Sequence, residues 1–414
     1  MNCDRLSIRP TRFVAWQDKG LSLLILLGIL LFNTVCSLAT GYVKTGADRI
    51  FEKPFISWFH GKRIGLVTNQ TGVDRDLNTL AGLFSRNPNC TVTAVFAPEH
   101  GIGGTAQAGE HIASSAEVFS LYGETRRPTP AMLADVDMLV FDIQDVGSRC
   151  YTYVSTMLEC MKAAASCKIT FIVLDRPNPI DATRTEGPVL EEGLKSFIGV
   201  GRVPIRHGMT MAEMALFLES DLQLNLDLRI VPLAGWNRSQ WFGQTGLPWI
   251  APSPNMPTGN TATVYPGFCL IEGTNLSEGR GTTQPFELVG APWLDASGLA
   301  STLNRLGLPG VRFRPQSFQP TFSKYSGQFC RGIQIHILDR SRFEPIQAAL
   351  HLLRETRLRH PDRLQFSELF FDRLAGNSWI REMLRDGASV ESIVEKWQAD
   401  LEDFKKTREG YLLY

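Results

Sequence analysis

A glutamate and a histidine stand side by side in FAPEHGIGG, Phe96 to Gly104. The residues before them, VTAVF at Val92 to Phe96, are β-branched and aromatic, which fits a buried strand. Glu99 and His100 therefore fall at the carboxyl end of a strand, the edge where ligands bind in open α/β sheets because the crossover loops diverge there. A solvated Pro-Glu-His-Gly turn fits the stretch equally well when it is taken alone. If it is a site, a second carboxylate across a cleft would suit cleavage of a glycosidic bond. One group then protonates the leaving oxygen, while the other acts as base or nucleophile, or steers a neighbouring group, against an oxocarbenium-like state. Glu99 is the first candidate. Glu186 in RTEGP, Glu272 in CLIEGTN and Glu278 in NLSEGR are candidates for its partner, and each of these three, taken singly, equally fits a turn or a salt bridge.

Other chemistries lose their motifs. No G-x-G-x-x-G follows the first strand, and the glycines of IGGTAQAG have the wrong spacing for a pyrophosphate, so no dinucleotide cofactor is expected. G-x-S-x-G, H-E-x-x-H and a Walker loop are absent, as is any CxxC pair, so no metal site is expected either. The 42 basic residues equal the 42 acidic ones, and this balance argues against a nucleic-acid partner, which requires a basic face.

The elements that must position Glu99 alternate. RIGLVT (Arg63 to Thr68), VTAVF, MLVFDI (Met138 to Ile143) and ITFIVL read as strands. Helices are expected around Leu77 to Ser85, near Pro130 to Ala134, and from about Tyr153 to Ala165. This pattern predicts an α/β fold, a Rossmann-like and mostly parallel sheet with helices on both faces. Each strand ends in polar residues: Asn69 with Gln70, Glu99 with His100, Asp142 with Asp145, and Arg176 with Asn178. Four such ends on one edge make a crevice holding acids, bases and donors together. Thr210 followed three residues later by Glu213 signals a helix start. From Pro248 to Trp293, dense turn chemistry predicts long functional loops. The last third, with strands GVRFRP and GIQIHIL and helices at Pro345 to Arg357 and Ser389 to Lys406, is α+β in character. Trp397 lies on an apolar stripe and is assigned to the core. The chain thus divides into a Rossmann-like domain over 45–263 and a smaller C-terminal α+β domain over 264–414.

Before these comes an apolar run, Leu21 to Phe32, preceded by Arg5, Arg9, Arg12 and Lys19 and followed by VCSLAT. It has the length of a signal-peptide core rather than the ~20 residues of a membrane span. Residues 1–39 are therefore read as a leader, cleaved after Ser37 or Ala39, with an uncleaved anchor as the alternative. The mature protein is expected to be exported, periplasmic or extracellular, without stable membrane insertion. Cys36 lacks a lipobox. Of eight cysteines, six remain after the leader, and buried thiols are expected of them.

The segments GKRIGLVTNQTG, APEHGIGG, LVFDIQDVGSRCYTYVSTM, VLDRPNPI, EGPVLE, PIRHGMTMAEMA, PSPNMPT, VYPGFCLIEGTNLSEGRGTTQPFE and the terminal YLLY resemble, in order, the exo-β-N-acetylmuramidases of the NamZ type. The resemblance covers nearly everything after Gly61. It implies hydrolysis of terminal N-acetylmuramic acid from the non-reducing end of peptidoglycan fragments, in a cleft between a Rossmann-like and a C-terminal domain. It carries a catalytic glutamate onto Glu99 in APEHG. Glu186 is assigned as its partner from its place just beyond the DRPNP strand end, with His100 and Asp145 tuning or positioning. Asn69, Arg149, Tyr151, Arg176, Asn178, His207, Asn255, Glu272, Asn275, Glu278 and Arg280 are candidates for holding the sugar hydroxyls, the N-acetyl group and the lactyl carboxylate, which calls for a cationic fork. Departures from the family pattern at Ile102 or Gly103 and at Cys150 remove no ionisable catalyst. Two other classes remain open: a non-catalytic muropeptide-binding protein on the same fold, and a metal-dependent hydrolase using Asp142, Asp145 and His100.

Overall fold

The computed structural model describes residues 42–110 and 118–414; the expected leader lies outside them. Six strands form a wholly parallel sheet in the order β3-β2-β1-β4-β5-β8. They are β1 (Lys62–Thr68), β2 (Cys90–Ala97), β3 (Phe119–Ser120), β4 (Met138–Asp142), β5 (Thr170–Leu174) and β8 (Leu228–Val231). The Rossmann-like expectation is met. All five residues of β4 are buried, because helices cover both faces of the sheet and leave no polar side. Between β5 and β8, a short antiparallel pair, β6 (Glu186–Val189) and β7 (Pro204–Arg206), leaves the sheet. The helix Met211–Leu222 starts as expected: Thr210 accepts from the Glu213 amide, and the Glu213 side chain accepts from the Thr210 amide.

The C-terminal part carries an antiparallel sheet ordered β10-β11-β9, made of β9 (Leu288–Ala291), β10 (Val311–Phe318) and β11 (Cys330–Ile337). Helices Pro345–Arg359 and Val390–Glu409 lie where the sequence put them, and Trp397 is in the core.

Two expectations are corrected. Residues 130–135 form turns rather than a helix. The loop expected over Pro248–Trp293 contains the helix Gly259–Phe268, continued by a 3-10 turn over Cys269–Gly273. The expected boundary at 263/264 lies within this helix, and residues 43–414 pack as one compact unit around a core that runs from Phe141 through Phe268 to Trp397. Close packing explains one glycine of that helix. A Cβ at Gly267 would strike the Pro345 carbonyl, so only glycine lets the two helices approach this closely. The six cysteines of the described residues are free thiols. No helix among the described residues is long and apolar enough to cross a membrane.

Candidate active site

The strand order reverses between β1 and β4, where an open α/β sheet usually holds its ligand. Here that point is filled. The Arg176 guanidinium grips both oxygens of Asp142, at 2.5 and 2.9 Å, and donates to the Val73 carbonyl. The Gln144 amide donates to the carbonyls of Asp145 and Pro177. What is left between Arg176, Gln144 and Thr71 is a cavity of about 20 Å³, room for a water but not a sugar.

The open ground lies at the end of β2. Glu99 is buried, and both of its oxygens accept hydrogen bonds: Oε1 from the Gly109 amide at 3.0 Å, Oε2 from the Thr152 hydroxyl at 2.6 Å. Thr152 is the residue preceding the helix Tyr153–Cys167, yet its side chain caps nothing there. A capping hydroxyl contributes about 1 kcal/mol to a helix; this one is turned to Glu99 instead. The positive end of the helix macrodipole thus faces the carboxylate. Tyr122, whose amide bonds Ser120 at the end of β3, lays its phenol against Glu99; burial, with the glutamate's charge beside it, pushes that phenol up to about 12. His100 has a left-handed φ of 74°, a conformation histidine adopts only when its surroundings enforce it. Its Nδ1 lies 2.7 Å from the Ala106 carbonyl, which can only accept. The proton is therefore on Nδ1, and Nε2 is left with a lone pair. Burial lowers the imidazole pKa, so the ring is neutral at neutral pH.

Across from this strand end stands the loop after the 3-10 turn. Glu272 accepts from Arg280 at 3.0 Å, Glu278 lies 3.4 Å from Arg280 and 3.1 Å from Lys324, and Lys324 also donates to the carbonyls of Ile271, Glu272 and Leu276. Two carboxylates and two cations balance. Burial raises the Glu272 carboxyl pKa against the pull of Arg280. A cavity of about 350 Å³ separates this group from Gln107 and Ala108, the residues just before the amide that binds Glu99. Its size suits a monosaccharide unit. The two sides are tied together. Asn255 donates to Gln107 at 2.9 Å. Edge-to-face aromatic contacts run from Tyr153 through Tyr151 and Tyr265 to Phe286, over which Arg280 sits.

The structure thus gathers Glu99, His100, Tyr151, Asn255, Glu272, Glu278 and Arg280, with Asn69 behind them holding the Tyr153 hydroxyl at 3.0 Å. The other candidates lie elsewhere. Glu186, proposed as the catalytic partner, accepts at 3.0 Å from the Ile346 amide at the start of helix Pro345–Arg359, with Arg206, Glu344 and Arg184 around it; burial pushes its carboxyl up to about 7. The turn after β5 carries it away from the sheet edge into the β6–β7 pair, so closeness in sequence to the DRPNP strand end does not become closeness to Glu99. Arg149 is buried and donates to the carbonyls of Pro188, Val203 and Leu374. Asn178 braces its own turn through Met209 and Ile180. Asn275 pairs with the backbone at Arg363 and Gln365. Asp145 accepts from the Gly147 amide, and burial pushes it up to about 7, while burial and surrounding arginines bring His207, 3.9 Å away, down to about 3. Both stay in the interior. With Asp142 clamped by Arg176, the trio Asp142, Asp145 and His100 is not assembled as a ligand set, and no cluster of three or more metal-ligating side chains occurs among the described residues. Sequence reasoning missed Thr152, Tyr122 and Lys324. Of these only Thr152 carried a signal, as a cap-type residue opening a helix at the same sheet edge.

Family models described as the N-terminal and C-terminal parts of the exo-β-N-acetylmuramidase NamZ match residues 64–260 and 263–414. The chain belongs to the NamZ family. It is similar to the peptidoglycan β-N-acetylmuramidase NamZ of Bacillus subtilis (strain 168), with 44% identity over 407 residues, 94% of this chain and 98% of that protein. Two crystal structures of DUF1343 family proteins from Bacteroides fragilis NCTC 9343 share the NamZ-family fold seen here. One superposes with a TM-score of 0.84 at 38% identity, the other with 0.72 at 31%; each comparison covers 90% of this chain and 99% of the other.

Proposed function

We propose that the chain is an exo-acting glycoside hydrolase that releases N-acetylmuramic acid from the non-reducing end of peptidoglycan fragments, in cell-wall turnover or recycling. The observation that carries this reading is Glu99, held on both oxygens at the end of β2 by Thr152 and by the amide of Gly109, next in the chain to Gln107 and Ala108, which line a sugar-sized cavity facing Glu272, Glu278 and Arg280, in a chain whose family matches span 64–414. Glu99 is the proton donor. The Gly109 amide can only donate, so Oε1 stays an acceptor. The Thr152 hydroxyl can reverse, donating to an ionised Oε2 or accepting from a protonated one, and this lets the carboxyl change state without losing its contact. Glu272 takes the partner role in place of Glu186, because it lines that cavity whereas Glu186 lies in the β6–β7 pair. His100 positions the loop that carries Glu99.

Turnover of a chromogenic muramic acid glycoside by purified protein, beside the matching glucosamine glycoside, tests the reading. The muramic compound is expected to be cleaved and the glucosamine one to lag by at least an order of magnitude. Binding without turnover would favour a non-catalytic muropeptide-binding protein. The protein acts outside the cytoplasm, a reading supported by the basic, then apolar, then small-residue order of residues 1–39. The N-terminal residue of secreted material is expected to be Leu38 or Thr40; an intact leader on cytoplasmic protein would overturn it.

A further inference from the structure

The lactyl ether gives muramic acid a carboxylate that glucosamine lacks, and the arginines first considered for it are engaged. Arg149 holds three backbone carbonyls, Arg176 holds Asp142, and Arg280 is shared by Glu272 and Glu278. A different guanidinium stands over the phenol that contacts Glu99. The Leu121 amide bonds the Ala97 carbonyl at 2.8 Å, which fastens the segment after β3 to the end of β2 and sets Tyr122 against Glu99. Four residues on, a turn in which the Thr125 hydroxyl and Arg127 backbone bond each other brings Arg126 back over the same ring. Its Cζ lies 5.2 Å from the Tyr122 centroid and 4.2 Å from that of Phe197, and the two rings are 5.9 Å apart. Arg126 is exposed and has no acidic partner among the described residues, whereas its neighbour Arg127 is paired with Glu159 at 2.6 Å.

We propose that Arg126, stacked on Tyr122 and Phe197, is the residue that selects the carboxylate-bearing sugar at the Glu99 site. Two aromatic faces hold the guanidinium in the free protein, so little rotamer freedom is left to lose on binding. Among the described residues nothing else binds its in-plane N–H groups, and a guanidinium takes a carboxylate in bidentate fashion. The same phenol touches both Glu99 and Arg126, so recognition of the ether side chain is linked to placement of the glycosidic oxygen at the acid.

This rests on the muramidase reading, and the test separates the two. Steady-state kinetics would be measured for wild type, Arg126→Gln and Arg126→Lys on the chromogenic muramic acid glycoside and on its lactyl methyl ester, which keeps the shape and removes the charge. Wild type is expected to prefer the acid over the ester by about 10- to 100-fold in kcat/KM, the range of a charge-assisted hydrogen-bonded pair. Arg126→Gln should raise KM for the acid by a similar factor, leave kcat within about threefold and abolish the preference, with Arg126→Lys in between. If wild type cleaves the acid and Arg126→Gln keeps its preference, or loses acid and ester alike, this assignment fails and the muramidase reading stands. Failure of wild type to cleave either compound removes both.

Discussion

Two places on the same edge of the parallel sheet carry the same kinds of residue and have opposite fates. At the ends of β4 and β5, Asp142, Asp145, Arg176, Asn178 and the nearby His207 are all buried in protein, with Arg176 clamping Asp142 and Asn178 tied to the Met209 carbonyl. At the end of β2, Glu99 and His100 open the loop whose Gln107 and Ala108 line a cavity of about 350 Å³. Residue type does not distinguish them. What does is the cover: the switch point is sealed by an arginine from the next strand end, whereas the β2 end faces a loop from the C-terminal part that stops short. Polar residues at strand ends are thus as readily mortar as machinery.

The largest expected contrast comes from breaking one group in each place. Glu99→Gln keeps shape and hydrogen bonds but cannot deliver a proton, and turnover should fall about 10²–10⁴-fold with the melting temperature nearly unchanged. Arg176→Ala leaves Asp142 buried and unpaired, and should lower stability by roughly 3–5 kcal/mol. Kinetics and thermal denaturation on both variants check the pair; near-normal turnover in folded Glu99→Gln would hand the acid role to another carboxylate. Next in size is Glu272→Gln against Glu186→Gln. The first should cost about 10²-fold in kcat; the second should leave kcat within about threefold, since Glu186 serves a helix N-terminus.

The sequence made the frame legible where local signals agree with tertiary need. Apolar strands β1, β2, β4 and β5, the Thr210–Glu213 start and Glu99 at a strand end are all local patterns. The helix Gly259–Phe268 was not legible, because Gly259, Pro266 and Gly267 are turn residues by composition and the helix forms only against Pro345. β8 escaped notice as LRIV, a half-buried edge strand with an arginine in it. In the site, Glu186 misled through proximity in sequence, while Tyr122 and Lys324 join it only through contacts across the fold.

A smaller effect separates support from chemistry at Glu99 itself. Thr152→Val removes the hydroxyl that follows the carboxyl between its two states, and kcat should drop about tenfold, with Thr152→Ser restoring most of it. Because Thr152 makes no cap bond to its helix, the stability loss should come from the unpaired Glu99 oxygen alone, about 1–3 kcal/mol, and Thr152→Ser should recover it. A large drop in melting temperature with kcat preserved would make Thr152 a structural residue.

The smallest effect is a matter of pH, and it sharpens the assignment of Glu186 to the interior. Burial, opposed by Arg206, raises its folded pKa to about 7 from the usual 4.5 of a glutamate. Between those values the native state holds a proton that the unfolded chain has released. The stabilisation is therefore complete below about pH 4.5 and lost as pH rises through 7. Asp145 and Asp175, also raised to about 7, act in the same direction, while His207, lowered to about 3, acts oppositely as pH falls from 6.5. The wild-type profile mixes all four, so the informative quantity is the difference between Glu186→Gln and wild type. Gln stays neutral and can still accept from the Ile346 amide. Its melting temperature relative to wild type should be similar at pH 5 and higher by roughly 3–6 °C at pH 8, corresponding to roughly 1–3 kcal/mol. A difference that does not change between pH 5 and pH 8 would mean that Glu186 ionises as readily in the fold as in the open chain, and that its neighbours leave it in contact with solvent.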